Sequence, residues 1–164
     1  MRRRWAPGAS ERAVTVALPP DAAWDVVASG MTGSQWYLDA VPFRARGALD
    51  RWVGGAGHGG RPPGRARLAV GDRVGFWEVE RADHRARRLE LRAHVRAPGT
   101  VRLLARVDPL AGGDSTVVLR IGFAPHGPAG RAYLLADLPA RELVVEWVAL
   151  HLLTVLQRAV HARV

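Results

Sequence analysis

A chain of 164 residues, 48% apolar and 24% charged, has room for one compact domain and not for two. It contains no cysteine, which excludes a disulfide scaffold, a thiol nucleophile and any cysteine-ligated metal site. Its formal charge of +9, from 24 basic against 15 acidic residues, raises nucleic acid and anionic surfaces as partners. All the basic side chains in that balance are arginine; lysine and asparagine are absent, and Ile121 is the sole isoleucine. Residues with AT-rich codons are thus the missing ones. A GC-rich bacterial genome accounts for the arginines, and nucleic acid ranks last among the partners considered. The excess is nevertheless local: 15 arginines against 6 acids lie between Arg44 and Arg106, and 9 against 9 elsewhere. The N-terminal Arg2, Arg3 and Arg4 have no apolar run behind them, so they do not open a secretory signal. The longest apolar stretch, Leu143 to Leu156, is broken by Glu146 and His151 and is shorter than the ~20 residues of a membrane span. A cytoplasmic protein with no membrane span is the expectation.

Residues 1–10 read as a flexible tail ahead of a domain covering 11–164. Ala13 to Leu18 alternates with β-branched residues and stops at Pro19-Pro20, the pattern of a first strand. Asp21 then caps a short helix that ends near Ser29-Gly30, and a second helical stretch runs from Ser34 to Trp52, interrupted at Pro42. Val53 to Arg65 is rich in Gly and Pro and reads as a loop. From Val70 the apolar period becomes two. Strands are expected over Val70–Glu80, Arg88–Ala97, Val101–Val107 and Val117–Phe123, with turns at Asp83–Arg87, Pro98-Gly99 and Asp108–Asp114. Leu89, Leu91, Leu103, Ala105, Val117 and Leu119 fall on the apolar side; Arg88, Arg92, Arg96, Arg102 and Arg106 fall opposite. A one-sided antiparallel sheet needs a cover. Ala140 to Ala162 supplies it as a long helix, with Val144, Val145, Val148, Leu152, Val155, Leu156 and Ala159 inside an arc about 120° wide. Ala129 to Leu138 forms a shorter helical piece that ends at Pro139. The expected class is α+β, a curved antiparallel sheet wrapped around a long C-terminal α-helix.

This order, with Val14–Pro20 leading into Asp21-Ala22-Ala23-Trp24-Asp25-Val26-Val27, resembles the SRPBCC superfamily, the helix-grip fold of START domains, pollen-allergen-like proteins and polyketide cyclases. Leu49–Gly55, Leu68–Glu80, Arg88–Ala93 with Pro98-Gly99, and Phe123–Gly127 with Gly130–Tyr133 and Pro139 are similar to a narrower, uncharacterised SRPBCC-like family. In that family the domain often sits C-terminal to an NAD(P)-binding, epimerase-like domain. The resemblance implies a fold and no assigned activity. Leu134 and Leu135 replace family aromatics and Arg141 replaces a usual His, so no ligand contact carries over to them.

Gly55-Ala56-Gly57-His58-Gly59-Gly60 spells a dinucleotide-binding glycine motif, but it follows no buried strand and opens no helix, so a lid beside the grip is the better reading. The six histidines are scattered without metal-ligand spacing, and no cofactor or metal is implied. Ser10, Ser29, Ser34 and Ser115 lack a nucleophile elbow. The leading expectation is a binding module holding a small apolar or amphipathic ligand between the sheet and the terminal helix. Its lining is assigned to Trp77, Leu91, Leu103, Phe123, Trp147 and His151. If the basic lid contacts that ligand, the ligand should be an anion. The alternatives are a cyclase- or hydratase-like enzyme using His151 with Asp39 or Glu78, and an accessory domain docking to an NAD(P)-dependent oxidoreductase.

Overall fold

The structure, a computed structural model, describes residues 9–33, 35–40, 60–95 and 99–162, the side chains of 129–141 excepted. Strand β1 (Ser10–Val16) is followed by helices α1 (Pro20–Val27) and α2 (Trp36–Asp39), then by strands β2 (Arg73–Val74), β3 (Trp77–Asp83), β4 (Arg88–Ala93), β5 (Gly99–Pro109) and β6 (Ser115–Pro125). Helix α3 (Gly127–His161) closes the chain. The strands form one antiparallel sheet in the order β1-β6-β5-β4-β3-β2. With α1, α2 and α3 packed on one face, this is the expected α+β helix-grip architecture.

Local chemistry explains the departures from the expected bounds. The first strand starts at Ser10, inside the stretch read as tail. Pro20 occupies the first turn of α1, where its fixed φ suits a helix start, and Asp21 sits inside that turn rather than capping it. The expected strand over Val70–Glu80 is two strands, because Gly75 takes φ 60° and folds β2 back on β3. Of the second helical stretch, α2 is the described part; positions 41–59, with most of the glycine motif and the lid, lie outside the described residues. Helix α3 does not end at Pro139 but runs through it for 35 residues. One missing N–H removes one helical hydrogen bond, and the Ala, Leu, Arg and Glu around it are strong helix formers.

The core holds Trp24, Trp36, Tyr37 and Trp77 together with Leu68, Leu89, Leu91, Leu103, Leu119, Leu152 and Leu156. Three of the four aromatics spend their polar atoms on nearby backbone, as buried Trp and Tyr must. Trp36 Nε1 donates to the Val27 carbonyl at 3.0 Å, Trp77 Nε1 to the Tyr37 carbonyl at 2.9 Å, and the Tyr37 hydroxyl to the Ser29 carbonyl at 2.6 Å. These bonds fix α2 between α1 and β3. The loop before β2 is pinned on the end of α1 by Leu68 N–H to the Ala28 carbonyl and Gly64 N–H to the Gly30 carbonyl, each at 2.8 Å.

Candidate functional site

Side chains directly opposite in an antiparallel sheet share a face, so the register places each expected lining residue. Leu91 pairs with Leu103, Trp77 with Ala93 and Phe123 with Val101, all on the face toward the helices. Leu91 and Leu103 are 0% exposed, Trp77 1% and Phe123 3%, so these four form a packed wall with no open surface. Gly99 lies against Phe123: a Cβ there would run into its ring and the Ala124 carbonyl.

Trp147 and His151 stand elsewhere. Val145, Val148, Ala149, Leu152 and Leu156 bury one side of α3, and at 100° per residue Leu143, Trp147 and Leu150 fall on the other, 62%, 51% and 54% exposed. Between the two sides sits half-buried His151, whose Nε2 is buried and has no hydrogen-bond partner. Trp147, Leu150, His151 and Thr154 line a cavity of about 260 Å³. Thr154 is already engaged, donating to the Leu150 carbonyl at 3.0 Å. The cavity is therefore lined by an aromatic face, an aliphatic side chain and the His151 ring. The expected lining is split into a sealed wall on the sheet and an open pocket on the helix.

An apolar surface on both sides also changes the membrane arithmetic. Within the 20 residues Glu142–His161 an 18-residue window reaches a mean hydropathy of 1.5, long and apolar enough to cross a membrane by length and composition. The core helix of a protein packed on a sheet passes the same test, so the expectation of no membrane span is not overturned by it. One side of α3 is so packed, and polar contacts tether it. Arg12, opposite Leu119 and hence on the inner face, donates from Nε to Glu146 at 2.6 Å and forms an ion pair with Glu142 at 2.9 Å; the Ser10 hydroxyl donates to Glu142.

Neither carboxylate considered as a partner for His151 reaches it. Glu78 pairs with Arg92 across the sheet and so lies on the outer face, where it contacts His94. The His94 imidazole, aided by Arg73 and Arg92, holds the Glu78 carboxyl below its usual range. Asp39 accepts the Gln35 N–H at 2.6 Å and so closes its own short helix. Sequence reasoning missed His84, which meets buried Trp24 edge-on at 5.9 Å; its place in the β3–β4 turn gave no periodic signal.

The outward arginines are not a bare basic surface. Arg81 pairs with Asp83, Arg88 with Glu90, Arg106 with Asp108, and both Arg92 and Arg102 with Glu80. Glu80 reaches two partners because it is the extra residue where the β3–β4 register shifts.

Residues 8–148 match the family described as "Protein of unknown function (DUF2867)". The chain belongs to this family. Among solved structures it is similar to the Zhui aromatase/cyclase from Streptomyces sp. R1128, with a TM-score of 0.51 and 19% identity over 92% of each chain. It is also similar to DynU16, a putative protein in the dynemicin biosynthetic locus, with a TM-score of 0.51 and 17% identity over 95% of this chain. This chain spans about half of DynU16, 48% of its length. At those identities the likeness concerns the fold, which is the helix-grip fold the topology describes. Among curated proteins none matches the chain.

Proposed function

We propose that this domain binds a small, mainly apolar molecule at the terminal helix, with Trp147 and Leu150 as contact surface and His151 as polar anchor. The observation that carries the reading is the buried, unpartnered His151 Nε2 beside an exposed Trp147 in an open cavity of about 260 Å³. A buried polar atom without a partner costs roughly 1–3 kcal/mol, which a ligand hydroxyl or carbonyl recovers. Trp77, Leu91, Leu103 and Phe123 are buried on the inner face of the sheet, and a ligand reaches them only by displacing core packing. The aromatase/cyclase named among the similar structures makes a fused-ring, hydroxylated molecule a sensible first probe.

The test is a fluorescence titration with 2-naphthol, alongside native mass spectrometry of protein from its own host for a co-purifying ligand. Trp147→Ala should weaken 2-naphthol at least tenfold and His151→Ala a few-fold. Saturable binding that Trp147→Ala leaves unchanged would overturn the assignment. Turnover abolished by His151→Ala would favour the cyclase- or hydratase-like reading instead. The exposed stripe Leu143, Trp147 and Leu150 also supports a second reading, docking to an NAD(P)-dependent oxidoreductase. That reading requires co-elution with such an enzyme, lost on Leu150→Asp.

A further inference from the structure

On the opposite side of the sheet lies a groove of about 930 Å³. That volume falls in the range of about 300–1,000 Å³ usual for small-molecule sites. Its floor is Leu104 and Val118, which share the outer face with the arginines yet are only 5% and 7% exposed. Arg88 and Arg106, both in its lining, oppose each other directly across β4 and β5. Val107 N–H donates to the Arg87 carbonyl at 3.1 Å, which marks 87/107 as a hydrogen-bonded pair. Arg88 and Arg106 are therefore the adjacent non-hydrogen-bonded pair, with Cα atoms only about 4.5 Å apart. Like charges at that position destabilise a sheet.

Each guanidinium is held by one carboxylate on its own strand, Arg88 by Glu90 at 2.9 Å and Arg106 by Asp108 at 2.8 Å. Neither contact bridges the two arginines, and Arg106 Nε is buried without a hydrogen-bond partner. At the far end of the groove Glu78 and Glu80 are occupied by His94 and by Arg102. At the near end Arg120, beside Leu104, faces Glu11 at 4.0 Å. An anion between Arg88 and Arg106 relieves their repulsion and gives Arg106 Nε an acceptor. A cation there would add to the repulsion.

We propose that this groove binds an amphipathic anion, its carboxylate or phosphate between Arg88 and Arg106 and its apolar chain along Leu104 and Val118. The charge-assisted, forked geometry of guanidinium donors suits such oxyanions. The site is separate from the pocket at Trp147 and stands or falls independently of it.

The experiment is calorimetric titration of the full chain with octyl phosphate and with inorganic phosphate at low salt. Octyl phosphate should bind saturably, and Arg88→Gln and Arg106→Gln should each raise its Kd tenfold or more. Arg106→Lys, which keeps the charge but loses the Nε donor, should fall between wild type and Arg106→Gln. Arg158→Gln, at the exposed end of α3, should change nothing. Inorganic phosphate binding as tightly, with the same arginine dependence, supports the oxyanion site and identifies a free oxyanion as occupant. No saturable binding of either probe, or a Kd that both Gln substitutions leave within twofold, overturns the proposal. Thermal melts check folding, and Arg88→Gln and Arg106→Lys carry the test if Arg106→Gln does not fold.

Discussion

Single side chains fix the geometry that the elements then share. Arg12 is a charge on the inner face of an edge strand, a placement that blocks pairing with another sheet. Here it also clamps α3 through Glu142 and Glu146, and those carboxylates raise the Arg12 pKa above its ordinary value. Arg12→Ala should speed amide exchange around residues 142–149 of α3 while β3 and β4 stay protected; unchanged exchange would mean that apolar packing alone holds the helix. Tyr37 works differently. Burial pushes its phenol up, so it remains a donor to the Ser29 carbonyl. Tyr37→Phe should cost about 0.5–1.5 kcal/mol in urea unfolding.

Two acidic side chains set a pH dependence whose sign follows from their direction of shift. His94 lowers Glu78 below its ordinary 4.5, and the Ala86 N–H with Arg81 lowers Asp83 below its ordinary 3.8. Carboxyls with depressed folded-state pKa values contribute stability that is complete above those ordinary values. It is lost as pH falls through the folded ones. Melting temperature should therefore drop below about pH 4.5, and Glu78→Gln should make that drop shallower; an identical acid slope in the variant would contradict it.

At the scale of elements, α3 has two apolar sides with different duties. Leu152 is fully buried, so Leu152→Ala should cost roughly 2–5 kcal/mol. Trp147 is half exposed, and Trp147→Ala should cost under about 1 kcal/mol while removing the pocket surface. Equal losses in chemical denaturation would mean that the two sides are packed alike. On the sheet, Gly99 permits the close approach of Phe123. Gly99→Ala should destabilise and shift Phe123, observable as a changed aromatic NMR signal.

For the whole molecule, the position of charge matters more than its sum. The arginines at 88, 92, 102 and 106 carry much of the local excess in the sequence, yet each meets a carboxylate on the sheet. The back of the sheet is an ion-paired grid with two arginine pairs directly opposed, Arg92 against Arg102, which share Glu80, and Arg88 against Arg106, which share no carboxylate. The expectation that a ligand touching the basic Gly/Pro loop should be an anion thus gains a rival location across the sheet.

Sequence by itself determined the fold class and the inner wall. Alternation with period two is local, so Leu89, Leu91, Leu103, Ala105, Val117 and Leu119 were assigned to the core side without coordinates. It could not assign Leu104, because adjacent Leu103 and Leu104 are both apolar and alternation must send one outward. Nor could it choose between Trp77 and Glu78, whose orientation follows from the β2–β3 hairpin. Helical spacing identified Val145, Val148 and Leu152, but placing Trp147 and His151 with the sheet residues required knowing which apolar side of α3 meets the sheet. Tertiary structure alone decided that, and it alone set Arg88 against Arg106. Strand register and helix docking are contacts between residues distant in sequence, and no local period encodes them.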